Sequence, residues 1–227
     1  RFLVTATGQL SRPVYPKLEG MAHFKGHVHH SADWDHRYDL TGKRVAVIGT
    51  GASAIQFVPA IAGQVSQLSV FQRSAAYILP RPDGPYAGWR KAMFKRLPWT
   101  MTLHRARIYA QYEGRALAFI RIKALMALAG GLPFKKLLHR QVPDAGLRAR
   151  LTPDYPIGCK RILLSNEYLA TMVKPNVNLV TQGIRRITAD GIETTDGQHH
   201  AVDAIIYGTG FAPFMGGPMH AREHGRA

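Results

Sequence analysis

The sequence predicts an α/β protein organised around a βαβ unit with a glycine-rich turn. Three observations predict it. Arg44–Ile48 is a short, β-branched strand. It runs directly into the turn Gly49-Thr50-Gly51-Ala52-Ser53-Ala54. Residues 55–62 then show helical apolar spacing, interrupted only by Pro59, before a second strand at 66–71. Strand, glycine turn, helix and strand in that order make a unit that lays a helix on a parallel sheet.

Composition agrees with that class. The chain has 227 residues, 46% of them hydrophobic, which is enough for a sizeable core in one or two domains. Its 22 glycines and 14 prolines suit a turn-rich fold rather than a disordered chain. No cationic leader with an apolar core is visible, so a signal peptide is not expected. The most apolar stretch, 116–132, is broken by Arg121 and Lys123 and falls short of the ~20 residues that cross a bilayer, so no membrane span is expected. A single cysteine, Cys159, rules out an intrachain disulfide and fits a reducing, cytoplasmic setting. The net charge of +16 raises nucleic acid and anionic membranes as partners, but +12 of it falls within residues 81–150. The basicity therefore belongs to one segment, read as a solvated face or a lid. No nucleic-acid motif accompanies it, and no nucleic-acid partner is expected.

Along the chain, residues 2–5 read as a strand followed by a turn-rich loop. Residues 17–40 are polar and His-rich and read as a linker between structural units. The βαβ unit follows. Residues 85–150 are basic and mostly helical, with breaks at Pro98, Gly130-Gly131-Leu132-Pro133 and Pro143. Strands return at 177–181 and 191–195, with Asp196-Gly197 as a hairpin turn, and again at 204–207. The tail from 218 shows no packing pattern, and no internal repeat is present.

The turn matches the dinucleotide fingerprint with alanine in its last slot. Gly49 permits a tight turn. Gly51 lets the backbone approach a diphosphate. Ala54 allows close helix–strand packing, and the helix start offers free N–H groups and a partial positive charge. Thr50, Ala52 and Ser53 complete the candidate cradle. An NAD site needs an acid at the end of the second strand, roughly 20 residues on. Here that strand ends Phe71-Gln72-Arg73-Ser74, with no carboxylate from 66 to 74. Arg73 can grip a 2′-phosphate with a two-pronged guanidinium, so the expected coenzyme is NADP(H). His27, His29 and His30 lie close together without a matching Cys or carboxylate set, so no metal site is expected. Cys159 reads as a small buried residue rather than a nucleophile.

Further segments carry a family resemblance. Phe24-x-Gly26-x-x-x-His30-x-x-x-Trp34-Asp35 resembles the fingerprint of Baeyer–Villiger monooxygenases, and it lies just upstream of the glycine turn, as in that family. Ala6-Thr7-Gly8 is similar to the segment by which such chains leave their FAD-binding domain. Asp203 to Phe211, with Gly208-Thr209-Gly210 where the family more usually has Ala-Thr-Gly, is similar to the return. Asp154-Tyr155-Pro156-x-Gly158-Cys159-Lys160-Arg161 is similar to a segment carrying a cofactor-binding lysine and a catalytic arginine.

The resemblance implies an architecture and a chemistry. Residues 1–16 would be a remnant of an FAD-binding domain and 17–40 an interdomain linker bearing Phe24, Gly26, His30, Trp34 and Asp35. Residues 41–200 would be a Rossmann-like NADP-binding domain with a basic helical insertion at about 85–150. Residues 201–215 would return to the FAD-binding domain, leaving 216–227 unassigned. NADPH and FAD would be the cofactors, and one oxygen atom of O2 would enter beside a ketone carbonyl to give an ester or lactone. Arg161 would be catalytic, stabilising the attacking oxygen anion. Lys160 would hold a cofactor phosphate, and Asp203 would also belong to the cofactor site. The chain would be incomplete, neither holding FAD tightly nor oxygenating alone. Two other readings stay open: an N- or S-oxygenating flavin monooxygenase, and a non-catalytic NADP-binding remnant or basic interaction module.

Overall fold

The structure is a computed structural model that describes residue 10 and residues 12–121 and 127–212. The expected strand at 2–5, the Ala6-Thr7-Gly8 segment and the tail lie outside the described residues. The chain forms two compact units, Arg1–Ser74 with Lys174–Ala227, and Ala75–Val173.

The first unit is built on a five-stranded parallel sheet. Its strands are β1 (His27–His30), β2 (Arg44–Ile48), β3 (Gln67–Phe71), β6 (Val177–Val180) and β10 (Ala204–Tyr207), in the spatial order β1-β10-β2-β3-β6. A parallel sheet covered on both faces demands apolar residues at consecutive positions. The sequences Val45-Ala46-Val47 and Ala204-Ile205-Ile206 meet that demand, and all six residues are fully buried. Helix α1 (Ala54–Ile61) covers one face, burying Ala54, Ile55, Val58 and Ile61. Pro59 sits inside this helix and removes one backbone donor. Burial of the apolar stripe outweighs that penalty, because tertiary packing supplies most helical stability.

The opposite face packs on a three-stranded antiparallel sheet of β7 (Ile184–Ile187), β8 (Gly191–Thr194) and β9 (His199–Ala201). Ile187 and Ile192 from that sheet join Ile48, Phe71, Ile205 and Tyr207 in one core cluster. The turn between β8 and β9 has Gly197 at φ 83°, the left-handed geometry expected of Asp196-Gly197.

Two placements go beyond the sequence reading. The stretch read as a polar linker contributes β1, paired with β10 from His27↔Ala204 to His30↔Tyr207. Strand β10, read as a buried strand in the return to an FAD-binding domain, lies between β1 and β2. Neither is legible locally, because a strand of the composition His-Val-His-His carries no apolar alternation and owes its place to its neighbour.

The second unit contains the short parallel pair β4 (Ile78–Leu79) and β5 (Leu163–Leu164) and a helical stretch. Its helices are α2 (Gly88–Arg96), α3 (Pro98–Arg121), a π-helical turn at Ala127–Gly131, α4 (Leu132–Gln141), α5 (Ala145–Arg150) and α6 (Tyr168–Thr171). The breaks follow the prolines. Pro98 opens α3, where its missing N–H is harmless, and Pro133 lies in the first turn of α4. Pro143 is followed by Asp144, whose carboxylate caps α5 by accepting from the Leu147 amide at 2.6 Å. Phe134, Leu137, Leu138, Tyr168 and Leu169 form its buried side. Among their described side chains the basic helices α2 and α3 bury little; Trp89 and Trp99 are 65% and 63% exposed.

Candidate dinucleotide-binding site

Pairing of β2 with β3 ends at Ile48↔Phe71, so the glycine turn leaves the sheet at its carboxyl edge. There, parallel sheets bind their ligands. Gly49 has φ 105°, and a Cβ on it would stand 2.6 Å from the Gly208 carbonyl oxygen. Two bonds hold the pair rigid: Gly49 N–H donates to Phe71 O at 3.1 Å, and Gly208 N–H donates to Ile48 O at 2.9 Å. Gly51 is different. A Cβ there would meet only Gly208 O, at 3.8 Å, so the protein itself leaves that space open. Ala54 is fully buried, and a Cβ on Gly208 would come within 3.3 Å of its methyl group. A methyl group at 208 would therefore sit tightly against the start of the helix.

Among the described residues the amides of Gly51, Ala52 and Ser53 donate to no backbone carbonyl, and Ser53 makes no side-chain cap. They form the donor-rich helix start that a diphosphate needs. The Thr50 hydroxyl points elsewhere, donating to Ser74 O at 3.3 Å and tying the turn to the end of β3. Arg73 is exposed at that end, with no ion pair among the described residues. Gln72 beside it is buried and anchored by its amide to Val180 O at 2.8 Å. These residues fit NADP(H): an open cradle, free donors and an unpaired guanidinium.

The fingerprint residues sort onto the two faces of β1. Gly26 is required by close approach, since a Cβ would lie 2.5 Å from both Asp203 O and the Phe24 ring. Phe24 packs on the core cluster. His30 is fully buried, its Nδ1 accepting from Ala32 N–H at 3.1 Å, between the rings of Tyr15 and Phe211. Burial lowers its pKa. On the α1 face, Trp34 stands edge-on between His29 and Phe57 of α1. The Asp35 carboxylate accepts from the Arg37 amide at 3.0 Å and its side chain at 3.1 Å, which hold its pKa down. His27, His29, Trp34 and Asp35 line a cleft of about 440 Å³. Sequence reasoning weighed His29 only as a metal ligand and passed over Phe57; the alternation of His27 and His29 ahead of Trp34 is the signal that could have given His29 another role.

Asp203 is not brought to the glycine turn. It precedes β10, and its carboxylate accepts from Arg44 Nη2 at 2.7 Å, Arg44 Nε at 3.3 Å and the Arg44 amide at 2.8 Å. The turn lies at the other end of these strands, roughly 16 Å away at the rise of a strand. Arg44 side-chain and amide bonds lower the Asp203 pKa. The resulting stabilisation is present above the ordinary carboxylate pKa of 3.8 and is lost as pH falls through the lowered value. Asp203→Asn should destabilise the fold by about 1 kcal/mol, since the pair is partly exposed. NADPH affinity should be unaffected, and urea melts beside ligand titration check both halves.

Lys160 and Arg161 lie in the second unit after Gly158, which has φ 95°, and both are exposed. Lys160 Nζ stands 4.3 Å from the centre of the Tyr155 ring. Tyr155 is fixed in turn, its hydroxyl donating to Ala75 O at 2.9 Å and its carbonyl accepting from Tyr77 at 2.9 Å. Cys159 is exposed, contrary to the buried position expected for it, because the turn after Pro156 projects it outward. Among the described residues no three His, Cys, Asp or Glu side chains converge on a metal position. Nor is any helix among them long and apolar enough to cross a membrane.

A glycine-turn nucleotide unit preceded by this fingerprint defines a class. The profile of the flavin-binding monooxygenase-like family matches residues 3–130, and the chain belongs to that family. Among its relatives are Baeyer–Villiger monooxygenases. One from Pseudomonas aeruginosa is 47% identical over 224 residues, a match covering 97% of this chain and 42% of that protein. Another, from Streptomyces coelicolor, is 44% identical over 209 residues, covering 92% and 40%. A solved structure described as oxidised steroid monooxygenase bound to NADP superimposes with a TM-score of 0.75 at 31% identity, over 91% of this chain and 46% of that one. The complex of OTEMO with FAD and NADP gives a TM-score of 0.73 at 28% identity, over 92% and 47%. The chain thus spans about two-fifths of the length of these curated relatives, 42% and 40%.

Proposed function

We propose that this chain is the NADP(H)-binding part, with the fingerprint linker, of a Baeyer–Villiger monooxygenase. Such an enzyme uses NADPH and FAD to insert one oxygen atom of O2 beside a ketone carbonyl, giving an ester or lactone. The observation that carries the reading is the pairing of an open glycine turn at the carboxyl edge of β2 with an exposed Arg73, and no acid, at the end of β3. NADPH would supply the hydride. The amides of Gly51, Ala52 and Ser53 bind its diphosphate, the bare Gly51 backbone admits it, and Arg73 neutralises the 2′-phosphate.

Lys160 is assigned to a cofactor phosphate and Arg161 to the oxygen-transfer step. Their exposure leaves both side chains accessible to ligands, and their roles rest on the sequence resemblance. Arg161 suits the task because a guanidinium keeps its charge and directs several donors at an oxygen anion. Phe24, Gly26, His30, Trp34 and Asp35 form the linker that seats β1 against the sheet. Gly208-Thr209-Gly210 follows β10, but among the described residues no helix opens after it as α1 opens after the Gly49 turn, so no FAD contact is assigned. Asp203 is read as a structural partner of Arg44 and not as a cofactor ligand.

Calorimetric titration tests the coenzyme assignment. NADPH should bind at least about tenfold more tightly than NADH, a difference of about 1.4 kcal/mol. Equal affinities, or no heat with NADPH, would overturn it.

A further inference from the structure

His29 is a buried group to which the nucleotide-binding reading gives no task. It is 8% exposed on β1, paired with Ile206 of β10, and neither ring nitrogen has a hydrogen-bond partner among the described residues. Buried polar groups are normally satisfied, so an imidazole in this state calls for a reason. What His29 does have is ring contacts. Its ring meets that of Trp34 edge-on at 4.9 Å and 70°, and lies 5.3 Å from that of His27. Trp34 in turn meets Phe57 of α1 at 5.3 Å and 61°. The Phe57 amide donates to Ser53 O at 3.2 Å, at the start of α1 where the free amides lie. A continuous line of contacts therefore runs from β1 through His29, Trp34 and Phe57 to the diphosphate cradle.

We infer that His29 is a positioning residue for the dinucleotide site: neutral and buried, it holds Trp34 against Phe57 and so steadies the start of α1, and its protonation loosens this stack and weakens coenzyme binding. The inference rests on the NADP(H) reading above and adds a pH-dependent element to it. Edge-to-face packing is favourable for neutral rings, whereas an imidazolium at this depth lacks both water and a hydrogen-bond acceptor.

The titratable groups facing His29 are His27, Asp35, Asp33 and His30. Ile206 on β10 and Phe57 on α1 bring no charge. Asp35, engaged by Arg37 at 3.1 Å, and Asp33 are the groups that would favour an imidazolium at His29. Burial first, and then His27, lower the His29 pKa below its ordinary value of 6.5, against the opposing pull of Asp35 and Asp33. The neutral ring therefore persists in the folded protein where the unfolded chain already binds a proton. The stabilisation it provides falls away as pH drops below 6.5.

The test compares the wild-type chain with His29→Phe, His29→Gln and the exposed control His36→Asn. NADPH affinity is measured by fluorescence titration at about pH 8 and in steps down to about pH 4.5, because burial holds the His29 pKa below its ordinary value. Wild type and His36→Asn should lose roughly fivefold more affinity on acidification than the two His29 variants. This difference separates the effect from protonation of the coenzyme phosphate, which acts on every variant alike. Trp34 emission, isolated by subtracting a Trp34→Phe blank, should be quenched on acidification in wild type and not in His29→Phe. A shared pH dependence in wild type and both His29 variants would overturn the inference, as would Trp34 emission indifferent to His29. Absence of NADPH binding in every variant at about pH 8 would overturn the nucleotide reading itself, and this inference with it.

Discussion

Arg73→Glu is expected to weaken NADPH binding about a hundredfold, equivalent to about 2.7 kcal/mol, while leaving NADH binding unchanged or stronger. The substitution removes charge-assisted bonds to the 2′-phosphate and sets a carboxylate against it. The same carboxylate can accept from the free 2′-hydroxyl of NADH, the arrangement that NAD sites use at this position. Because Arg73 is exposed, salt screens part of the effect, and the NADPH penalty should be larger at low ionic strength. Stability should hardly move, since Arg73 has no ion pair among the described residues to lose. Titration of both coenzymes against wild type and variant, with a melting curve for each, gives a clear readout. A loss shared equally by NADPH and NADH would place Arg73 away from the 2′-phosphate.

Gly49→Val should nearly abolish coenzyme binding and destabilise the fold by about 3 kcal/mol or more, combining backbone strain with a clash. At φ 105° a β-branched residue is strained wherever it finds space, and here there is none. Its Cβ would lie 2.6 Å from the Gly208 carbonyl, a backbone atom at the end of the central strand β10. The clash cannot be relieved by a side-chain rotation, because Gly208 is bonded to Ile48 and Gly49 to Phe71. Gly51→Ala is the informative contrast. Its Cβ would touch nothing nearer than 3.8 Å, so the fold should keep its stability within about 0.5 kcal/mol while NADPH affinity falls. Urea unfolding and coenzyme titration on the two variants separate a glycine demanded by the fold from one demanded by the ligand. Equal destabilisation by both would remove that distinction.

The pair also shows why the site was legible in sequence only to a point. Both glycines, Ala54 and Arg73 were visible because their chemistry depends on residue type and short spacing within one βαβ unit. Gly208 appeared merely as a departure from a usual alanine. Only the approach of β10 to Ala54 shows that a methyl group there would crowd the helix start. Asp203 was assigned to the cofactor by the resemblance that the segment from Asp203 to Phe211 carries, but β10 runs the length of the sheet between Asp203 and the glycine turn. A position one residue before a strand says nothing by itself about which end of the sheet a ligand occupies.

What the sequence by itself determined was local: strand, turn and helix in the nucleotide unit, the proline-broken basic helices, an arginine with no acid beside it at the end of β3, and the fingerprint from Phe24 to Asp35. Each follows from backbone preference, apolar period or charge within a few residues. The tertiary structure decided the long-range matters. It set His27–His30 as a strand beside β10, put β10 at the side of β2, tied Asp203 to Arg44, and buried His29 behind Trp34. Those outcomes depend on parallel pairing and side-chain packing between segments far apart in the chain, such as His30 with Tyr207. Partners so distant leave no periodic trace in either segment alone.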